Sequence, residues 1–280
     1  MNKIKLRKKL QEFYIEDLGE FDITSEYIFP LAKVSSGSFL VKKDGVLAGV
    51  EIIKEAYALF DPSIEVVLYK KDGDFVEKGE IIASVKGPVA YLLSAERVIL
   101  NLIQHMSGIA TLTREAVMAL NSDHTRICDT RKTMPGLRMF DKYAIRCGGG
   151  FNHRFGLYDG VMIKDNHITF AGSIKEAVAK VRSQVGHMVK IEVETESKEQ
   201  VLEAIEAGAD VIMFDNRSPE EVAEYVKLVP KGIVTEISGG LTLDTIGSYR
   251  DTKVDYISLG MLTHSVVALD ISFNLEGGDK

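Results

Sequence analysis

Cationic side chains concentrate in one stretch of an otherwise acidic chain. Between Arg131 and His167 there are seven lysines and arginines against three carboxylates, a local balance of +4, although the 280-residue chain has a formal net charge of −7. Solvated surfaces usually mix the two signs, so a one-sided excess predicts that an anion is received here. Arginine suits that task because its planar guanidinium pairs with carboxylates and phosphates through two parallel hydrogen bonds.

Five cationic or imidazole side chains of this stretch are expected to converge on the anion: Arg131, Lys132, His153, Arg154 and Lys164. Arg138 and Lys142 have an ordinary alternative, which is solvation or a surface salt bridge. A nucleic-acid partner is disfavoured, because the sequence pI is about 5.5, tryptophan is absent and the arginines alternate with glycine and apolar residues. The sequence therefore predicts a small substrate with several anionic groups.

Three charged residues end successive apolar runs downstream. Lys164 ends GVMIK, Glu194 lies near the end of VKIEVET, and Asp215 lies near the end of DVIMFDN. A single strand-end carboxylate is more often a helix N-cap or a loop anchor. Three in succession indicate a functional set, in which Glu194 and Asp215 would serve a divalent cation or a developing positive charge.

Two short glycine-containing segments follow the last two apolar runs and are candidates for holding a phosphate. They are Ser238-Gly239-Gly240 and Ser258-Leu259-Gly260. Glycine lets backbone N–H groups approach an anion, and the final loops of α/β barrels often bind phosphate. Each tripeptide alone is weak evidence, since glycine after a strand is usually only a turn.

A repeat of about 20 residues must position these groups. The steps from Glu194 to Asp215, to Glu236 and to Ser258 are 21, 21 and 22 residues, with capped helical segments starting after Ser197 and Ser218 between them. Such successive βα units predict a parallel sheet in a TIM-like barrel, with either eight strands or fewer. Strand alternation places Glu194 on the face that points into that barrel.

The first hundred residues have a different pattern. Short apolar runs with Asp-Gly turns at 44–45 and 72–73 predict an α+β domain with mostly antiparallel strands. Its hairpins are similar to those of biotin- or lipoyl-carrier domains, but no lysine flanked by methionines stands at a turn. The segment 94–120 is predicted to be helical, with Ser94 as N-cap, Arg97 in the first turn and a break near Ser107-Gly108.

Composition excludes several other classes of protein. No apolar run reaches 18 residues, and the basic amino terminus lacks the apolar core of a secretory signal. Cys128 and Cys147 are the only cysteines and have no metal-ligand spacing, which is typical of a cytoplasmic protein without structural zinc.

Taken in order, several motifs resemble one known family. The segments SAERVILNLIQHMSGIAT, DTRKTMPGLR, GGGFNHRFGLYDGVMIKDNHI, IEVE, FDN, EISGG and VDYISLGMLTHS resemble quinolinate phosphoribosyltransferases over essentially the whole chain. Phe21 departs from the pattern, because the family commonly has glycine in that stretch. A related group linked to molybdenum transport shares DTRKT-like and HR-containing segments, and the intact IKDNH favours the quinolinate family over that group.

The resemblance implies an N-terminal α/β sandwich-like domain (1–107, with its linker helix) and an incomplete, TIM-like α/β barrel (108–265), while 266–280 could return to the first domain. It also implies a cytoplasmic homodimer or higher homo-oligomer that uses Mg²⁺, without nucleic acid or a membrane. Its substrates would be quinolinate and phosphoribosyl pyrophosphate, and its products nicotinate mononucleotide, pyrophosphate and CO₂, in NAD biosynthesis.

Residue roles are implied in the same way. Arg131, His153, Arg154 and Lys164 would surround the two carboxylates of quinolinate, with Arg97 supplied by a partner subunit. Lys132, Glu194 and Asp215 would serve phosphoribosyl pyrophosphate, the last two also holding the metal. The substrate-binding set is completed by Thr130 and the loops Ser238-Gly239-Gly240 and Ser258-Leu259-Gly260, and the catalytic set is Lys132, Lys164, Glu194 and Asp215. The alternatives are an enzyme of the molybdenum-linked group acting on another acidic aromatic, and a non-catalytic carrier or nucleic-acid-binding module.

Overall fold

The computed structural model describes residues 1–276, and these form two compact units. The first unit comprises Met1–Leu112, Met139–Gly149 and residues 266–276, and the second comprises Thr113–Arg138 and Gly150–Ser265. The ranges drawn from the sequence, 1–107 and 108–265, remain a prediction for the domain boundaries, and the last four residues of the predicted 266–280 segment lie outside the described part. No helix within residues 1–276 is long and apolar enough to cross a membrane.

The described chain contains eleven α-helices and twelve strands, besides one short 3₁₀ helix at Gly247–Tyr249. The helices are α1 (Lys3–Leu18), α2 (Ile23–Ile28), α3 (Glu51–Phe60), α4 (Val89–Leu120), α5 (Arg138–Cys147), α6 (Asp165–Ala171), α7 (Ile174–Arg182), α8 (Lys198–Glu206), α9 (Pro219–Leu228), α10 (Leu243–Ile246) and α11 (Met261–His264). The strands are β1 (Val34–Val41), β2 (Gly45–Val46), β3 (Glu65–Leu68), β4 (Phe75–Val76), β5 (Ile81–Pro88), β6 (Arg126–Cys128), β7 (Val161–Ile163), β8 (Ile191–Thr195), β9 (Val211–Asp215), β10 (Val234–Ser238), β11 (Tyr256–Ser258) and β12 (Ile271–Leu275).

The first unit contains a four-stranded antiparallel sheet in the order β12-β1-β5-β3, together with the small β2-β4 pair. Apolar residues at alternate positions of β1 face the core, where Phe39 packs edge-on against Tyr57 of α3. This confirms the antiparallel α+β pattern expected of the first hundred residues.

The second unit contains six parallel strands in the order β6-β11-β10-β9-β8-β7. The helices α7, α8 and α9 follow β7, β8 and β9, so each strand-to-strand connection contains a helix. The edge strands β6 and β7 do not pair with each other in the described part of the chain. The predicted incomplete α/β barrel is therefore confirmed, with six strands rather than eight.

Strand β8 shows why the barrel presents carboxylates at its interior. Ile191 and Val193 are fully buried on one face of the strand, while Glu192 and Glu194 alternate with them on the other face. Ser197 and Ser218 accept hydrogen bonds from backbone N–H groups in the first turns of α8 and α9, which confirms both predicted helix starts.

The helix predicted over 94–120 is longer than expected and has no break. It runs without interruption from Val89 to Leu120, so Ser94 is not its N-cap, and the Ser94 hydroxyl instead donates to Asp22 at 2.8 Å. Arg97 consequently lies beyond the first turn and away from the positive end of the helix dipole. Gly108 is required for a different reason, because a Cβ at this position would collide with the backbone oxygen of Val267.

This close approach leads to a prediction about stability. Replacing glycine by alanine inside a helix normally stabilises it by about 1 kcal/mol. We expect Gly108→Ala to lower the free energy of unfolding by about 1 to 3 kcal/mol instead, because the new methyl group must push the backbone at Val267 away. Urea denaturation of both proteins measures the difference. Gly186→Ala is the matched control, since a Cβ there meets no atom within 4 Å; a Gly108→Ala protein as stable as wild type would contradict the interpretation.

Candidate active site

A cavity of about 580 Å³ lies within the second unit and collects the carboxyl ends of its strands. Twelve of the fifteen predicted substrate-binding residues line it: Thr130, Arg131, Lys132, His153, Arg154, Lys164, Glu194, Asp215, Ser238, Gly239, Gly240 and Ser258. They come from segments widely separated in the sequence, and the parallel strand order brings them together. Their individual roles stay a prediction, whereas their shared location is observed.

Three predicted residues do not line this cavity. Arg97 is an exposed residue of α4 in the first unit. Leu259 is buried, with its backbone N–H donating to the carbonyl of Cys128 at 3.0 Å, so it serves the sheet rather than a ligand. Gly260 lies against the aliphatic part of Lys132, where a Cβ would come within 2.9 Å of that side chain. The second glycine-containing loop therefore contributes only Ser258 directly to the cavity wall.

Asp129, which follows β6, anchors the segment that carries two of the candidate residues. Its carboxylate is fully buried, and its two oxygens accept hydrogen bonds from the Asn152 side chain at 2.7 Å and from the backbone N–H of His153 at 2.8 Å. The backbone of this segment also pairs with β6, through a parallel bridge between Cys128 and Phe151. The first aspartate of CDTRKT thus has a structural role, and it holds the NHR segment beside Arg131.

The two arginines of the cavity are close enough to repel each other. Burial lowers the pKa of Arg154 from its usual value, and the positive charge of Arg131 lowers that pKa further. Arg154 also donates to the carbonyl of Gly160 at 2.8 Å, which fixes its direction. The Nε of Arg131 is buried and has no hydrogen-bond partner among the described residues. A buried guanidinium N–H without a partner, next to a second arginine, indicates a site built to receive an anion.

Lys164 and Glu194 form an ion pair across the cavity wall. Lys164 follows β7 and its ammonium group donates to the carboxylate of Glu194 on the neighbouring strand β8. The backbone N–H of Lys164 donates to the ring of His167 at 3.0 Å, so this histidine fixes the turn into α6. The pair keeps a cation and a carboxylate next to each other at the strand ends.

The side chain of Asn216 contacts both Asp215 and the loop after β10. Asn216, which has a positive φ of 51°, donates through its side chain to Asp215 at 2.8 Å. Gly239 has a φ of 97°, and a Cβ there would collide with the Asn216 side chain. Glycine is therefore required at position 239 both for its backbone conformation and for this approach.

His153, Glu192 and Glu236 form a cluster at the wall of the cavity, in which both glutamates are buried. The Nε2 atom of His153 is 3.0 Å from Glu192 Oε2 and 3.6 Å from Glu236 Oε2. The Nδ1 atom of the same ring accepts the backbone N–H of Arg154 at 2.8 Å. Both ring nitrogens are thus engaged within the protein, so His153 positions Arg154 and the glutamates in addition to lining the cavity.

Two groups of residues could hold a metal ion. The ligand atoms of His153, Glu192 and Glu236 lie within 4.8 Å of one another, but this cluster includes a nitrogen, and its two glutamates are buried. Mg²⁺ prefers oxygen ligands and keeps several of its waters. Glu194 and Asp215 fit it better, because both carboxylates line the open cavity, where phosphate oxygens and water can complete the coordination.

Sequence reasoning missed four residues that line the cavity: Met162, Met213, Asn216 and Glu236. Asn216 belongs to the FDN motif, and Glu236 marks one step of the repeat, so position alone could have identified both. The two methionines occupy inward-facing positions of β7 and β9 and give the cavity an apolar surface on which a planar ring can rest. The cavity therefore combines convergent cations, carboxylates and an apolar surface, which suits an aromatic acid and a phosphorylated co-substrate.

Comparisons with known proteins agree with this chemistry. The model of the quinolinate phosphoribosyl transferase N-terminal domain matches residues 22–107, and that of the C-terminal domain matches residues 109–274. A probable nicotinate-nucleotide pyrophosphorylase (carboxylating) of Bacillus subtilis is 56% identical, covering 98% of this chain and 95% of the relative. A mitochondrial quinolinate phosphoribosyltransferase (decarboxylating) of Nicotiana glauca is 41% identical, covering 97% and 82% of the two chains.

Solved structures of the same kind of enzyme are also similar to this chain. The crystal structure of NadC from Streptococcus pyogenes has a TM-score of 0.95 and 39% identity to this chain, covering 98% of this chain and 97% of the other. The nicotinate-nucleotide pyrophosphorylase of Francisella tularensis has a TM-score of 0.93 and 34% identity, covering 99% and 98%. With both family domains matched and with relatives this similar over their whole length, the chain belongs to the quinolinate phosphoribosyltransferase family.

Proposed function

We propose that this chain transfers the phosphoribosyl group of phosphoribosyl pyrophosphate to the ring nitrogen of quinolinate, in the NAD-biosynthesis step that forms nicotinate mononucleotide, pyrophosphate and CO₂. The observation that carries the proposal is the convergence of Arg131 and Arg154 on a cavity that also contains Glu194 and Asp215. Cations there suit a dicarboxylate, and carboxylates suit a metal-bound diphosphate.

The quinolinate half of the site would use the cations. The unpartnered Nε of Arg131 and the constrained guanidinium of Arg154 are available to a carboxylate of the substrate. Lys164 adds a further positive charge, and its pairing with Glu194 keeps it from repelling the arginines until the substrate binds. His153 contributes by holding the backbone of Arg154 in place.

The diphosphate half would use Lys132, Glu194, Asp215 and the loop of Ser238, Gly239 and Gly240, with Thr130 and Ser258 nearby. Glu194 and Asp215 are the residues that would hold Mg²⁺. When bound there, the ion would supply positive charge to neutralise the diphosphate group. The two carboxylates also balance the positive charge that develops on the ribose as the bond to the diphosphate breaks.

No further cofactor is needed for the loss of CO₂. Once the ring nitrogen carries the ribose, the pyridinium accepts electron density from the bond between C2 and its carboxylate, which is the work that pyridoxal or thiamine does elsewhere. For this loss of CO₂ the residues of the cavity orient the ring and neutralise the remaining carboxylate. The two cysteines of the sequence, Cys128 and Cys147, have no paired spacing, which agrees with the cytoplasmic location that we propose for the enzyme.

One assay separates this proposal from its alternatives. The purified protein is incubated with quinolinate, phosphoribosyl pyrophosphate and Mg²⁺, and nicotinate mononucleotide, pyrophosphate and CO₂ are quantified. We expect equal amounts of the three products. An enzyme of the molybdenum-linked group would leave quinolinate unchanged, and a carrier or nucleic-acid-binding module would bind neither small anion.

We further propose that the enzyme is a homodimer or higher homo-oligomer in which Arg97 enters the partner's cavity. In the first unit, Ile23, Tyr27, Ile28 and Leu31 are each more than half exposed, an apolar surface that a second copy could cover. Arg97 is exposed, and its guanidinium has no hydrogen-bond or ion-pair partner among the described residues. An isologous dimer would let each site borrow one arginine and lend one.

The first prediction from the proposed function concerns quinolinate affinity. Arg154→Ala removes one cation from a pair with a partly buried carboxylate, a loss that costs about 2 to 5 kcal/mol, so we expect quinolinate binding to weaken roughly 30-fold or more while the protein folds normally. Isothermal titration with quinolinate measures the change. Lys231→Ala, which removes an exposed lysine, is the control and should bind like wild type. Unchanged affinity in Arg154→Ala would show that the arginine binds no substrate carboxylate.

The second prediction concerns the metal. Asp215→Asn keeps the acceptor for the Asn216 side chain but removes the negative charge that Mg²⁺ prefers. We expect quinolinate affinity to be retained, and the Mg²⁺ concentration for half-maximal turnover to rise by about 10- to 100-fold. Asp251→Asn, at an exposed position, controls for the loss of one carboxylate. An unaltered Mg²⁺ dependence would leave Asp215 with a structural role only.

The third prediction concerns Arg97 and uses complementation. Arg97→Ala and Lys164→Ala should each be inactive alone. If Arg97 acts in the partner's site, half of the dimers in a freely exchanged mixture contain one intact site. A quarter of all sites are then intact, so the activity of the sample should return to about a quarter of that of wild type. The control mixture combines Lys164→Ala with Glu194→Gln; both residues come from the same subunit's cavity, so the mixed dimer contains no intact site and activity should not return. Lack of recovery despite demonstrated subunit exchange would exclude a role in trans.

A further inference from the structure

Glu236 borders two cavities at once. The first is the candidate active site of about 580 Å³, and the second, of about 320 Å³, is lined by Val211, Val234 and Tyr256 at the starts of β9, β10 and β11. Only 4% of Glu236 is exposed, yet its side chain lines both spaces, as do His153 and Arg154. Since the second cavity lies towards the amino ends of the strands, these residues form the partition between it and the active site.

Two buried carboxyl groups of the partition, Glu192 and Glu236, lie around a single imidazole, that of His153. The proton of the His153 ring resides on Nε2, because Nδ1 accepts the N–H of Arg154, and Nε2 is 3.0 Å from Glu192 and 3.6 Å from Glu236. The second oxygen of each glutamate is buried without a hydrogen-bond partner among the described residues. Two buried carboxyl groups around one imidazole do not both ionise readily, so one of them keeps its own proton.

The surroundings of Glu236 indicate that it is the carboxyl group that keeps the proton. Burial raises the pKa of Glu236 to about 7, the negative charges of Glu192 and Asp129 act in the same direction, and His153 and the Ser258 hydroxyl act against them. These are the charged and hydrogen-bonding groups that face it from the adjoining strands and loops. Near neutral pH the group is therefore an acid at the wall of the active site.

The proposed reaction, on which this inference rests, requires such an acid. When CO₂ leaves, the electron pair of the broken bond stays on C2 of the pyridinium ring. Nicotinate mononucleotide carries hydrogen at C2, so a proton must be delivered before the product is complete. Among the cavity's other N–H groups, Lys164 is paired with Glu194, Lys132 is assigned to the diphosphate, and the His153 ring proton is directed at Glu192. The arginine guanidinium groups are very weak acids and do not release protons readily.

We propose that Glu236 is the acid that protonates C2 of the ring after decarboxylation, and that water in the second cavity restores its proton. The O–H bond of Glu236 breaks and leaves its electron pair on the carboxylate, while the electron pair on C2 forms the new C–H bond. The Glu236 carboxylate then takes a proton from the second cavity, so the cycle is complete without any other reagent.

Charge balance favours a carboxylic acid over a lysine for this step. Protonation converts a neutral ylide into a cationic pyridinium, and the donor simultaneously becomes an anion beneath the ring. The new opposite charges attract in a site with little water, which favours the transfer. A lysine donor would become neutral and would leave the new cation facing the two arginines.

Single-turnover kinetics test the proposal on the intact enzyme with quinolinate, phosphoribosyl pyrophosphate and Mg²⁺. In Glu236→Gln, which keeps the shape and removes the acid, pyrophosphate release should stay within about twofold of wild type, while nicotinate mononucleotide formation slows about 100-fold. Because the ylide recaptures CO₂ when C2 is not protonated, quinolinate mononucleotide should accumulate between the two steps. Glu236→Asp should restore part of the second rate, and Glu55→Gln, at a buried glutamate of the first unit, should change neither rate.

Several results would overturn the proposal. They are product formation by Glu236→Gln at the wild-type rate, or an equal slowing of pyrophosphate release and product formation, since a purely structural role affects both. A wild-type measurement decides the matter if the variant does not fold: the second step, but not the first, should slow about tenfold per pH unit above about 7 as Glu236 ionises. A second step that is constant from pH 6 to pH 9 would equally exclude the role. If wild type itself forms no product from quinolinate, the proposed function fails rather than this inference.

Discussion

A single buried carboxylate constrains the candidate active site. Asp129 uses one oxygen for the side chain of Asn152 and the other for the backbone of His153, and these contacts fix the path of the segment that ends in Arg154. Arg154 is thereby held near Arg131, although the two cations repel each other. The hydrogen bonds of Asp129 thus help to hold two cations together against their repulsion. The binding of a substrate carboxylate would relieve this repulsion, which favours an anion at the site.

The strand-end residues could be predicted because their positions follow from backbone geometry. A parallel strand that alternates inward and outward places every second side chain inside the barrel, and the spacing of about 21 residues fixes the strand ends, so Glu194 and Asp215 were located from the sequence alone. The same pattern does not fix the number of strands. That number depends on whether the two edge strands pair and close the barrel, which is a contact between remote segments that the local pattern does not encode.

Other features required distances between remote parts of the chain. The sequence pattern predicts a helix break at Gly108, whereas this glycine makes room for the backbone at Val267. The pattern also predicts that Leu259 belongs to a phosphate loop, but its N–H donates to the carbonyl of Cys128 within the sheet. In the sequence Glu236 is only one step of the repeat, because its unusual chemistry arises from the proximity of Glu192 and His153. In each case a tertiary contact overrides the meaning of the local sequence.

The pairing of β12 with β1 has a consequence for biosynthesis. Phe273 lies opposite Phe39, so the sheet of the first unit contains a strand from each end of the described chain. During translation the whole barrel sequence emerges before β12 does, and until then one edge of β1 has no strand beside it. An unpaired edge is where nascent chains associate wrongly, so the newly made enzyme passes through a period in which its amino-terminal sheet is most vulnerable to aggregation.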